Sequence, residues 1–527
     1  MSVPTQASPD LGAGLLPFLP EPVAPAPGSS PSPVWLAPRA STVGALIAGH
    51  APGRSGGLDL GGFAEILHRT GVLDSRSITL PGAAVVLPYG VRIIERFSDL
   101  VKARLREAGY AEYDYPFLAP VDVYGPTSEL FDVSDRLLYA ADRAGLAAGT
   151  PRAVLSPTGE ATVYTHWARI VRHESDLPIR SLRRARYYRP MPTGGRSGRS
   201  VFKAMEAGDV FEAQACLADR LAGAHEYRAL GETLQRIAAD YTVPTLWSER
   251  PREGNNGAVA DTSVGGDVPL PTGATVQVGC LYDQGQRFSR AYRVAVRSHG
   301  EQHFTHHVTA AITRRLVLAH LMLGLRSDRS LCLSPRTAPD QVALIAFTPL
   351  AQSGADRLSE ALTAAGIRVA ARSAHPRRDA GLWQAQGVPL LVHVSAPRAA
   401  GDTHRVVLVR ADTRQEWQLH LHDPAEAVMA VRVALDGVER ALVAELNGYV
   451  RARHVRLAGN ATTEDMKEVL AARLVAVAPV APGPAVFGEV ASWRSGEVLG
   501  TRTDGVLRRC VVTGAPTEHI AYISGRI

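Results

Sequence analysis

Between residues 90 and 109 the apolar positions Ile93, Ile94, Phe97, Leu100, Val101 and Leu105 recur at helical spacing on one face, and Gly109 is a natural C-cap. The segment FAEILHRTGVL from Phe63 has the same period, so ordered structure is predicted to begin near there. Tyr110–Leu118 alternates and reads as a strand broken by Pro116. Further strands are predicted at 183–189, 201–211 and 290–297, and a strongly apolar helix at 308–325. Strands and helices mix without regular alternation, which predicts an α+β fold around an antiparallel sheet.

The pattern changes near Ala338. Strands at 341–347, 367–370, 388–394 and 405–410, with helices at 355–365 and 424–446, form a βαβ-like series and predict a separate α/β domain. The remainder is a small C-terminal unit. At the other end, residues 1–38 carry ten prolines among Gly, Ser and Ala and lack side chains to bury, which predicts a disordered or extended arm. The expected divisions are 1–58, 59–335, 336–454 and 455–527.

The composition adds limits. Of 527 residues, 46% are hydrophobic, so an overall disordered or fibrous chain is excluded. The net charge is +6, which suits a polyanionic partner without requiring one. Only Lys102, Lys203 and Lys467 are lysines, so the basic side is almost wholly arginine; a GC-rich coding bias accounts for most of that. Cys216, Cys280, Cys332 and Cys510 are far apart, with no Cys-x-x-Cys pair, which fits a cytoplasmic protein. No apolar run of ~18 residues and no secretory leader pattern occur, so no membrane partner is expected.

Four segments carry candidate chemistry. In Leu155–Tyr164, Thr158 and Glu160 are acceptors suited to an ammonium in a desolvated pocket; taken in isolation, Thr158 reads rather as an N-cap. Arg186-Tyr-Tyr-Arg189-Pro-Met191 precedes the Gly- and Arg-rich loop Thr193–Arg199 and then Phe202. Thr275–Ser289 contains Gln277, Gly279, Cys280, Leu281 and Tyr282. Arg314-Arg315 opens an apolar helix, where an anion is favoured. His303, His306 and His307 invite a metal reading, but they precede the Arg314-Arg315 segment on a predicted strand and no metal site is expected.

The order and spacing of these segments over residues 60–527 resemble a class II aminoacyl-tRNA synthetase, and within it a prolyl-tRNA synthetase of the archaeal/eukaryal type. The resemblance implies the class II antiparallel-sheet catalytic domain, then an anticodon-binding-like α/β domain carrying Trp383-Gln-Ala-Gln-Gly387-Val-Pro389, then a C-terminal module whose zinc site is lost, since only Cys510 is present. The helix 90–109 with Pro116 is similar to the first class motif, which implies a homodimer. Arg189 and Arg315 match the catalytic arginines of motifs 2 and 3. ATP binding is implied for Arg189, Arg199, Phe202, Gln277, Gly279 and Arg315, and amino-acid binding for Thr158, Glu160, Glu206, Cys280 and Tyr282. Three departures stand out: Met191 replaces the motif 2 glutamate, Ala204 a pocket tryptophan, and Cys280-Leu281-Tyr282 a Thr-Ser-His run.

The implied function is activation of an amino or imino acid with ATP and Mg2+, with transfer to tRNA or another acceptor, specialised metabolism being one setting for it. The alternatives are a divergent proline–tRNA ligase and a non-catalytic RNA- or partner-binding relative.

Overall fold

The computed structural model describes residues 59–77, 82–190, 201–203, 205–252, 255–298, 300–373, 375–399, 402–457, 460–494 and 496–526. The proline-rich arm, Met191, the Thr193–Arg199 loop with Arg199, and Ala204 lie outside the described residues.

Helix α1 (Leu60–Arg69) starts where the Asp59 carboxylate accepts the Gly62 N–H at 2.8 Å, and buries Phe63, Ile66 and Leu67. Helix α2 (Pro88–Glu107) has proline in its first turn and packs Ile93, Phe97, Val101 and Leu105 into the main core. It stops before Gly109, whose φ of +86° suits a residue without a Cβ. The proline-broken strand predicted after it shrinks to β1 (Ala111–Glu112) and a short pair at Leu118–Pro120.

After α3 (Glu160–Ile170) come the strands of the main sheet: β2 (Ile179–Tyr188) and β3 (Glu206–Leu217), then helix α4 (Arg220–Asp240), then β4 (Leu246–Glu249), β5 (Thr262–Pro269), β6 (Thr275–Gly285) and β7 (His306–Thr313). Helix α5 (Arg315–Leu323) follows β7 directly. The helix predicted over 308–325 is thus a strand and a helix joined at Arg314. Both halves are almost wholly buried, and their polar residues (His306, His307, Thr309, His320) are buried too, so hydropathy alone does not separate period 2 from period 3.6. The strand predicted over 290–297 is partly helix Arg287–Ala291 and partly strand Ala295–Ser298.

The α/β part contains β8 (Val342–Ala346), α6 (Pro349–Ala364), β9 (Leu390–Ser395), β10 (His404–Arg410), β11 (Glu416–Leu421) and the long helix α7 (Pro424–Ala452). β8 and β9 are parallel, and β10 and β11 are antiparallel additions. The expected strand 367–370 is only a single bridge, Val342 to Val369, and helix Pro376–Ala385 and β11 were not foreseen. The last strands are β12 (His454–Arg456), β13 (Val475–Pro479), β14 (Val498–Arg509) and β15 (Pro516–Ile523).

The main sheet runs β12-β13-β15-β14-β4-β5-β6-β7-β3-β2-β1 and is antiparallel across its centre. The C-terminal strands therefore extend the same sheet, joined where Thr501 pairs with Glu249. Beside this seam the buried Arg250 guanidinium meets Asp267 Oδ2 at 2.5 Å, and Arg526 approaches Asp267 Oδ1 at 3.8 Å. No helix among the described residues is long and apolar enough to cross a membrane.

Candidate active site

A cleft of about 390 Å3 lies over β2, β3, β6 and β7, bounded by the turn before α3 and the start of α5. Antiparallel strands send alternate side chains to one face. That alternation puts Gly208, Val210 and Glu212 of β3 in the cleft wall. The structure brings Thr158, Glu160, Arg189, Phe202, Gln277, Gly279, Cys280, Tyr282 and Arg315 into this one wall, from segments up to 157 residues apart in the chain. Arg199 lies outside the described residues.

Glu206 is a correction. Its carboxylate pairs with Arg186 at a partly exposed position and is not in the cleft wall. The acid that β3 sends into the wall is Glu212, six positions later and therefore on the same strand at a deeper point. Phe202 is also placed differently from a free stacking platform. It is buried in the core, with its ring 6.0 Å from Phe63, although its edge reaches the cleft.

The turn before α3 is not capped by Thr158. The N-cap is Gly159, and the Thr158 hydroxyl donates to the Glu160 carboxylate instead. Burial, with a further contribution from the neighbouring Glu212, pushes the Glu160 carboxyl up to about 7. Burial also raises Glu212, which Arg183 partly offsets. Arg183, almost fully buried, is directly opposite Glu212 in the β2–β3 register, with Nε 3.7 Å from Oε2; its Nη1 donates to Thr162 Oγ1 at 3.2 Å. Gly159 is required by space: a Cβ there would stand 2.0 Å from Glu212 Oε2 and 2.6 Å from the Tyr187 hydroxyl.

Arg189 leaves the end of β2 with its Nε donating to the Pro157 carbonyl at 2.9 Å, which ties it to the Thr158 turn. Arg315 is the first residue of α5, where orphan N–H groups favour an anion. Its guanidinium donates to the Gln277 carbonyl at 3.4 Å. Burial and then repulsion from Arg189 lower it to about 10, so an added negative charge is favoured there. Arg314 is held by Asp209, and Arg136, lowered by burial and by Arg189, also reaches the wall. On β6, burial lifts the Cys280 thiol to about 11, and Cys280 and burial together raise the Tyr282 hydroxyl.

The wall therefore has two chemistries. Arg189, Arg314, Arg315 and Arg136 supply cationic forks suited to phosphates. Thr158, Glu160 and Glu212 supply acceptors suited to an ammonium. Sequence reasoning missed Arg183, Glu212, Tyr187 and Arg136. The period of β3 was the signal available for Glu212, since Gly208 and Val210 share its face. Arg183 and Tyr187 needed the β2–β3 register, and Arg136 reaches the wall from a distant turn. The histidines go elsewhere: His306 Nε2 meets Asp283 Oδ1 at 2.6 Å, and His307 is buried against Tyr164 and Trp167, where burial lowers it to about 3. Among the described residues no three His, Cys, Asp or Glu side chains converge as a metal-holding group.

No protein-family model matches the chain. It is 26% identical to the proline–tRNA ligase of Thermococcus kodakarensis over 416 residues, 77% of this chain and 83% of that one. It is 27% identical to the proline–tRNA ligase of Pyrococcus horikoshii over 361 residues, and 27% identical to that of Methanopyrus kandleri over 366. In fold it is similar to the Giardia lamblia prolyl-tRNA synthetase solved in complex with prolyl-adenylate, with a TM-score of 0.79 and 18% identity, covering 89% of this chain and 98% of that one. Relatives that are proline–tRNA ligases over most of its length, together with a matching fold, support a class II aminoacyl-tRNA synthetase of the prolyl-tRNA synthetase type.

Proposed function

We propose that this cleft activates an amino or imino acid as its adenylate and that the chain then transfers the acyl group to tRNA. The substrate carboxylate oxygen attacks the α-phosphorus of ATP. The new P–O bond forms as the bond to the β-phosphate oxygen breaks, and pyrophosphate leaves with the electron pair. Arg189, positioned at the Thr158 turn, is placed to bridge carboxylate and α-phosphate, and Arg315 at the head of α5 to hold the outer phosphates. Thr158 and Glu160 hold the α-nitrogen. The single observation that carries this reading is the meeting of Arg189 and Arg315 with the Thr158–Glu160 pair in one cleft.

ATP is handled with Mg2+, which neutralises phosphate charge and prefers phosphate and water oxygens. The only acids in the described cleft wall are Glu160 and Glu212, at the ammonium-binding end. Mg2+ carried in with ATP would be held mainly by phosphate and water oxygens and would neutralise phosphate charge beside Arg189 and Arg315. On the same reading, residues 59–335 are the catalytic unit, 336–454 an anticodon-binding-like unit and 455–527 the C-terminal module. The protein acts as a homodimer, which light scattering checks.

The test is ATP–pyrophosphate exchange across a panel of amino and imino acids. Arg189→Ala and Arg315→Ala should each lower kcat/KM about 100-fold, the scale of losing one preorganised charge donor. Exchange that survives both substitutions, or a wild-type chain with no calorimetric nucleotide binding, overturns the reading.

A further inference from the structure

A third guanidinium reaches the cleft from its rim. Arg136 lines the wall with Arg189 and Tyr282, although it lies on a short turn, Ser134–Arg136, far from both in the chain. The strand after that turn fixes its place. Leu138 and Ala140 pair with Leu155 and Ala153 in antiparallel register. Continued by two residues, that register sets Arg136 level with Pro157, whose carbonyl accepts the Arg189 Nε–H at 2.9 Å. Arg136 and Arg189 are thus held at one point of the wall, and repulsion from Arg189, after burial, lowers Arg136. This crowding of like charge is not neutralised by the chain itself. Arg186 is paired with Glu206 and Arg314 with Asp209, but among the described residues Arg136, Arg189 and Arg315 form no ion pair. The Arg136 guanidinium lies 5.6 Å from the Phe131 ring centre, a contact that steadies it at the rim without using its N–H donors. Two guanidinium forks set beside one turn, with no acid paired to either, suit an anion placed between them.

We propose that Arg136 is a further catalytic residue of adenylate formation, its fork donating, beside that of Arg189, to the α-phosphate oxygens. Those oxygens gather charge while the carboxylate oxygen bonds to phosphorus and the bond to the β-phosphate oxygen breaks, and fixed donors aimed at them stabilise the transition state. The division of labour follows from place. Arg136 stands by the Pro157 turn and Tyr282, where the amino-acid end of the cleft meets the nucleotide end, whereas Arg315 stands at the head of α5 with the outer phosphates. This inference rests on the activation reading given above for Arg189 and Arg315.

The experiment uses the full chain as wild type, Arg136→Ala and Arg136→Lys. Pyrophosphate exchange with the fastest substrate of the panel above should lose about tenfold or more of its kcat in Arg136→Ala, with the KM for ATP moved by no more than about threefold, and Arg136→Lys should restore part of the loss. Calorimetry with adenosine and with the non-hydrolysable acyl-sulfamoyl adenosine of that substrate supplies a second readout. Arg136→Ala should weaken the analogue by about tenfold or more and leave adenosine unchanged, since only the analogue has a sulfamoyl group in the place of the α-phosphate. A role confined to the shape of the rim would weaken both alike. A kcat within about threefold of wild type, a change confined to the KM for ATP, or equal losses for adenosine and analogue overturns the inference and leaves the assignment of Arg189 and Arg315 standing. No exchange by wild type with any substrate overturns the activation reading, and this inference with it.

Discussion

Arg183 and Glu212 face each other across β2 and β3, both buried, with the guanidinium Nε 3.7 Å from the carboxylate Oε2. Around them the Arg183 guanidinium lies 5.5 Å from the Tyr115 ring centre and 5.4 Å from that of Tyr187. Of the pair, Glu212 lines the cleft and Arg183 lies behind it, so charge of both signs meets beside the ammonium end.

Removing the arginine alone leaves Glu160 and Glu212 as adjacent buried acids. Arg183→Leu should therefore destabilise the protein by ~3–5 kcal/mol, the scale of a buried pair broken on one side. The double variant Arg183→Leu/Glu212→Leu should recover most of that loss. Urea unfolding of the three proteins checks both statements.

Glu160 gives a pH dependence with a definite sign. Its carboxyl titrates at about 7 in the folded protein, raised by burial and by Glu212, against 4.5 when unfolded. The folded chain then holds the proton more tightly between those values, so stability is highest below about 4.5 and falls as pH rises through 7. Binding has the opposite trend, because only the ionised carboxylate pairs with an ammonium. The KM for the amino acid should fall as pH rises through 7, and Glu160→Gln should flatten both curves. Melting temperature and exchange kinetics from pH 5 to 8.5 measure them.

Gly159 has a φ of −87°, which any residue adopts, so its role is purely one of space. Gly159→Ala should push the Glu212 carboxylate and Tyr187 hydroxyl aside and raise the amino-acid KM by about tenfold or more, as misplaced contacts do. ATP affinity, set by Arg189 and Arg315, should change little. Isothermal titration with ATP beside exchange kinetics separates the two effects.

Asp267 is fully buried and balances Arg250 at the seam between the central strands and the C-terminal strands. Asp267→Ala strands the Arg250 guanidinium in the interior and should cost ~3–5 kcal/mol. The seam should open first. Hydrogen exchange along β14 and β15 should rise before exchange along β2 and β3 does, and uniform acceleration would count against this order of opening.

Much of the fold and cleft was legible because local chemistry wrote it. The one-sided apolar face of α2 followed by Gly109 needs no partner to specify a helix and its end. Pro157-Thr158-Gly-Glu160, Arg189 and Arg315 identify themselves through order along the chain, and they do meet in one wall. Segments buried on nearly every side were not legible, since β7 and α5 are both almost wholly buried and the hydrogen bonding of β7 to β6 and β3 is what divides them at Thr313–Arg315. The choice of Glu212 over Glu206 was equally beyond local pattern. Both sit at even positions of β3, which strict alternation would send to one face, and it is the register shift opposite Ala185 and Tyr187, with Asp209 at a φ of +55°, that sends Glu212 inward opposite Arg183 and leaves Glu206 beside Arg186. The sequence by itself determined the helical faces, the acids and arginines available and their order. The tertiary structure alone decided which charges share a desolvated space, because burial and strand register, not spacing along the chain, bring such groups together.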